Sequence, residues 1–180
     1  MDTLAHIRLL ASYNSWMNAK VYDAAGKLPA QELAADRKAF FGSIIGTLNH
    51  IVVADTIWLK RFATHPARHP ELDALRAAPM PTALDQILFT ELGALREHRA
   101  TLDTTIERWT ANLSGQDLEH VLRYANMKGV PAQKRFGTLL VHFFNHQTHH
   151  RGQASTLLFH AGEDVGVTDL LALIPDESAA

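Results

Sequence analysis

The sequence predicts an all-α protein, an up-down four-helix bundle with a short extra helix at its C-terminus. Three observations predict it. Apolar residues recur at three- and four-residue steps through four long segments. Strand-like patterning is confined to one short stretch. No repeat or low-complexity tract interrupts the pattern. At 180 residues, 47% hydrophobic and 20% charged, the chain can bury one sizeable core and is short for two, so one domain spanning 1–180 is expected.

In the first segment Leu4, Ile7, Leu10, Ala11, Met17, Val21 and Ala25 share a helical stripe, and Gly26 with Pro29 supplies its stop. A polar connector, PAQELAADRKAF, leads to Ser43, an N-cap for IIGTLNHIVVADTIWLKRFA. That second helix is apolar around most of its circumference and is expected to be largely buried. The stretch THPARHPELDALRAAPMP is proline-rich and irregular, and Thr82 after it is expected to cap a third helix running to about Leu113. There Leu88, Leu92, Leu95, Leu102, Ile106, Trp109 and Leu113 form a heptad-like seam broken only by Arg99, which predicts a bundle partner. Between Gln116 and Phe136, HVLRYANMKGVPAQKRF reads as a loop or small hairpin. The fourth helix is expected from near Thr138 to about Ala161, with Gly162 as its C′ residue, and VTDLLALI suggests a short fifth. The connection between the second and third helices is long for a bundle.

Composition removes several function classes. A net charge of -2 and a pI near 6.6 lack the basic surplus that phosphate neutralisation needs, so nucleic acid is not an expected partner. With no cysteine, disulfides, thiolate metal sites and cysteine nucleophiles are excluded, and any metal must use nitrogen or oxygen ligands. The N-terminus MDTLAHIRLL lacks a secretory pattern and no run of about 18 apolar residues exists, so a soluble cytoplasmic protein without a membrane partner is expected.

The stretch HFFNHQTHHRGQ concentrates the chemistry. His146 and His150 lie about 40° apart and one turn along the same helical face, a spacing that lets two imidazoles converge on one ion. Leu139, Phe143, Gln153 and Leu157 continue that mostly apolar face, which points the pair into the bundle. His142 extends the stripe by a turn, and His149 falls to its side. A third ligand must come from a facing helix, and His50 is the candidate: Gly46, Val53, Ala54 and Ile57 share its face and leave it the polar exception. Spacing alone leaves alternatives open, a solvated or satisfied pair at 146 and 150 and a hydrogen-bonded core histidine at 50. His65, His69, His98, His120 and His160 read as structural or solvent-facing, the three tryptophans as core, and Gly152 in mid-helix as a point of close helix contact.

Taken together, SYNSWMNAKVY, GTLNHIVVADTIWLKRF and HFFNHQTHHRGQASTLL, in that order and spacing, resemble the DinB family of metal-binding four-helix bundles over nearly the whole chain. The resemblance implies a DinB-like bundle whose metal ligands map to His50, His146 and His150. It also implies relatedness to thiol-dependent S-transferases that use low-molecular-weight thiols, and a homodimer packed through bundle helices; substrate does not transfer with the fold. The leading expectation is a metal-dependent enzyme holding one divalent ion, zinc or nickel, that acts on small electrophiles with a thiol cosubstrate. The alternatives are a hydrolase at the same metal and a non-catalytic bundle whose ion fastens the second helix to the fourth. Asp55, Glu91 and His142 are all candidate general bases, and spacing singles out none.

Overall fold

The computed structural model describes residues 2–176. Helix α1 (Thr3–Ala25) starts where the Asp2 carboxylate accepts the Leu4 N–H, and it ends at Gly26 as expected. Its buried stripe includes Ile7, Ala11, Met17, Val21 and Ala25, but also Asn14 and Asn18. The connector that follows holds one helical turn, α2 (Ala30–Ala34), and a tight loop closed by Gly42 at φ 72°.

Helix α3 (Ile44–Phe62) is capped by Ser43, whose hydroxyl accepts the Gly46 N–H, and every residue except Trp58, Lys60 and Arg61 is buried. Gly46 is needed there. A Cβ at that position would fall 2.2 Å from the Phe41 carbonyl oxygen, so only glycine lets the connector lie on the first turn of α3.

The irregular stretch expected after α3 contains a 3-10 turn (Pro70–Leu72) and a short helix, α4 (Asp73–Ala77). The third long helix, α5 (Leu92–Ala111), starts ten residues later than Thr82, with Glu91 at its N-cap position. Tertiary hydrogen bonds override the local cap signal. Asn49 of α3 accepts the N–H groups of Leu88 and Phe89 and donates to the Phe89 carbonyl, while Thr82 bonds the side chain of Gln86. Residues 82–91 are thereby held as a non-helical strap across α3, and Leu88 lies outside the helix. The seam from Leu95 through Leu102, Ile106 and Trp109 to Leu113 is buried as expected, and Arg99 within it is buried too.

A one-turn helix, α6 (Gly115–Glu119), carries a reciprocal Ser114–Asp117 capping box. It leads into the hairpin β1 (Val121–Ala125) and β2 (Pro131–Arg135), antiparallel with Val121 opposite Arg135. Helix α7 (Phe136–His160) begins two residues before Thr138 and ends ahead of Gly162, which adopts φ 93°. The extra C-terminal segment is a 3-10 turn, Leu170–Leu173.

Helices α1 and α5 run antiparallel, Arg8 meeting Ala111 at one end and Asp23 meeting Arg96 at the other. Helices α3 and α7 are antiparallel as well, with His50 against His150 and Phe62 against Phe136. Helices α3 and α5 run the same way, Asp55 facing Arg99 and Phe62 facing Trp109. The long connection between them returns the chain to the end from which α3 started. Phe62, Trp109, Phe136 and Phe143 pack ring against ring at one end of the resulting core. His50, His146 and His150 sit toward the other.

Candidate metal centre

Two antiparallel helices bring the three histidines together. His50 projects from α3, and His146 and His150 from successive turns of α7; one ring nitrogen of each lies within 4.8 Å of the other two. His50 is buried, 3% exposed, while His146 and His150 are half-buried. Phe41 closes one side by stacking on the His50 ring at 3.7 Å between centroids. His50 is thus held between the connector, through Phe41, and helix α7.

The hydrogen bonds decide which nitrogens face inward. His50 Nδ1 lies 2.8 Å from the Leu84 carbonyl oxygen, which can only accept, so this nitrogen carries the proton and Nε2 bears a lone pair. His150 Nδ1 lies 2.7 Å from Gln153 Oε1, which assigns the same tautomer. In that pair of tautomers the two Nε2 lone pairs face each other at 3.2 Å. Burial favours the neutral rings. It lowers His50 from 6.5 to about 4 and His146 from 6.5 to about 3, with neighbouring imidazoles adding to the effect at His146, and it lowers His150 as well. Converging neutral imidazoles, each offering a lone pair, are a donor set that can hold a divalent cation.

The site opens on a cavity of about 380 Å³ between α3, α7 and the turn of the hairpin. His50, His146, Trp58, Arg61, Met127 and Lys128 are among its walls. Of the three candidate bases, His142 lines this cavity, its ring 5.9 Å from that of His146. Asp55 is buried and spent on Arg99 and Gln147, and Glu91 sits at the start of α5.

Sequence reasoning missed what holds the ligands in place. Asn49, beside His50, fastens the strap that delivers the Leu84 carbonyl; a buried asparagine in a mostly apolar helix was the available signal. Gln147 and Arg151 each follow a candidate ligand on α7 and point to a neighbouring face of the helix. Gln147 donates to Asp55 at 2.7 Å and Arg151 donates to Asn14, while Arg99 pairs with both Asp55 and Asp103. Asn14 and Asn18 complete the network by donating to Asp103 at 2.9 Å. This buried, charge-balanced net joins α1, α3, α5 and α7 behind the histidines.

Against known protein families, the chain matches the DinB family over residues 1–177. It belongs to that family. Protein DinB of Bacillus subtilis (strain 168) is 27% identical over 161 residues, covering 89% of this chain and 88% of that protein. No solved structure matches. In this DinB-family chain no helix among the described residues is long and apolar enough to cross a membrane.

A second cluster, His65, His69 and Asp117, also gathers possible ligand atoms within 4.8 Å. Its hydrogen bonds are those of a structural stitch. His65 Nδ1 accepts the Ala67 N–H, which places the proton on Nε2 facing the Asp117 carbonyl at 3.3 Å, and the Asp117 carboxylate is engaged by Ser114. Neither ring nitrogen of His65 keeps a free lone pair. Gly152, by contrast, is not explained by helix contact: a Cβ there would meet no atom within 4 Å.

Proposed function

We propose that this DinB-family protein is a metal-dependent enzyme in which His50, His146 and His150 hold one divalent ion, zinc or nickel. The observation that carries the reading is the pair of imidazole lone pairs facing each other at 3.2 Å, each fixed by an acceptor behind its Nδ1–H. Without a cation, that arrangement sets two acceptors against each other. A bound ion would lower the pKa of a thiol or water at its open position and so supply an anionic nucleophile near neutral pH.

The reaction we favour is thiol-dependent S-transfer to a small electrophile. The thiol sulfur forms a bond to the electrophilic carbon, and the electron pair displaced from that carbon leaves with the departing group or moves into an adjacent π system. The thiol proton passes to His142 or to solvent; His142 is kept neutral by burial and by the nearby Arg61 charge, as a proton acceptor must be. Opening of the cavity directly onto His50 and His146 supports an enzyme over a purely structural ion, because a structural site has no use for access. A hydrolase would use the same centre with water in place of the thiol.

Metal analysis of untagged protein followed by a thiol-consumption screen against small electrophiles tests the reading. One ion per chain and turnover lost on chelation are expected; turnover indifferent to chelation would overturn it. We further propose a homodimer. The apolar seams of α1 and α5 are consumed inside the bundle, so its interface must draw on other surface, where Phe40 and Phe159 stand exposed.

A further inference from the structure

The cavity that opens onto the histidines has a chemical bias of its own. Two cations, Arg61 and Lys128, contribute to its walls, and no aspartate or glutamate does. The acid closest to this region by its electrostatic influence on His50 is Asp85, which lies outside the lining. The remaining surface is largely apolar, from Ala54, Ile57, Trp58 and Met127.

Arg61 is built for an incoming anion. Its guanidinium lies over the ring of Trp58 at 4.7 Å and that of Tyr124 at 5.1 Å, so its position is set by stacking and not by an acceptor. Among the described residues it has no ion-pair partner, as is true of several other arginines, but it is the arginine that lines this cavity, whereas Arg37, Arg76, Arg96, Arg99 and Arg135 each sit on a carboxylate. Burial has already removed part of its water, which lowers its pKa and raises the gain from a planar two-oxygen acceptor. Lys128 is presented from across the cavity by a turn that Asn126 holds through the N–H groups of Lys128 and Val130.

We propose that this cavity binds a small organic carboxylate, its anionic end on Arg61 with Lys128 alongside and its apolar body against Trp58, Ile57 and Met127. This rests on the reading of the three histidines as the reactive metal centre and names the class of molecule brought to it. The carboxylate can belong to the electrophile or to the thiol.

Calorimetric titration of zinc-loaded protein with two matched probe pairs tests the assignment: benzoate against benzyl alcohol, and mercaptoacetate against 2-mercaptoethanol. Wild-type protein should prefer the acid in at least one pair, and the pair that shows it identifies the carrier. Arg61→Gln should weaken that acid by about tenfold or more and leave the neutral probe unchanged. Arg61→Lys should recover part of the loss, and Lys128→Gln, on an exposed turn, should weaken the acid less. No preference in either pair, or a preference that survives Arg61→Gln, overturns the proposal; the latter result together with loss in His146→Ala would place the anion on the metal. Zinc stoichiometry on the same samples separates this inference from the one beneath it. One ion per chain without an acid preference sinks the carboxylate site alone, and an Arg61-dependent preference without zinc sinks the metal reading alone.

Discussion

At the scale of single residues, His50 and His150 have their Nδ1 atoms held by acceptors and their Nε2 atoms facing each other, and His146 brings a third ring nitrogen to the same point. His146→Ala or His150→Ala should therefore reduce zinc affinity by more than about 100-fold, beyond the loss typical of an outer supporting group. Isothermal titration or chelator competition reads this, and a variant retaining a full equivalent at unchanged affinity would remove that ligand from the set. The pH dependence follows from the same environment. Protons compete with the ion for neutral imidazole, and with His50 lowered to about 4 and His146 to about 3, they compete only in acid. Zinc affinity should stay flat from neutral pH through the ordinary histidine range near 6.5 and fall as pH approaches about 4. A decline that begins at 6.5 would mean that burial does not depress these rings.

At the scale of elements, the strap of residues 82–91 matters more than the helix expected in its place. Asn49 makes four hydrogen bonds, three of them to the strap, and the strap brings the Leu84 carbonyl to His50. Asn49→Ala should cost stability, since unsatisfied buried groups cost about 1–3 kcal/mol. It should also loosen zinc by about 10- to 100-fold, because His50 loses its orienting acceptor. Thermal melting and zinc titration on the same samples check both effects. Leu84→Ala is the contrast: it keeps the backbone carbonyl, so it should leave zinc affinity near wild type. Equal zinc loss in both variants would show that the Leu84 side chain, and not its carbonyl, is what the strap supplies.

At the scale of the whole molecule, the proposed ion would bridge two helices that already hold each other through extensive apolar contact and the Asp55–Gln147 bond. His50→Gln should leave the metal-free fold intact, with a melting temperature close to wild type. Thiol turnover should fall by orders of magnitude if the centre is catalytic. If the ion is structural, the zinc-loaded protein should instead lose the stability that binding had contributed; melting curves with and without zinc distinguish the two. The proposed dimer is a separate matter of surface. Light scattering should return about twice the 20.0 kDa chain mass at micromolar concentration, and a monomer mass throughout would end that proposal.

The sequence by itself determined the helical bundle, narrowed the segment before α7 to a loop or small hairpin, and singled out the three histidines as candidates, because helices and their faces rest on local periods. A helical repeat of 3.6 residues puts His146 over His150, leaves His50 as the polar exception on a buried face, and needs no knowledge of distant partners. Only the tertiary structure decided where α5 starts, since Thr82 is a sound local cap that loses to hydrogen bonds from Asn49. It alone revealed Arg99 as a buried charge answered from α3 and its own helix, where the pattern showed only a break in a seam. It alone joined Arg61, some eighty residues from the histidine cluster in the chain, to Lys128 and His142 around one cavity. Such features depend on pairs of groups far apart in sequence, whose mutual approach is set by the packing of whole helices and leaves no periodic trace in either segment.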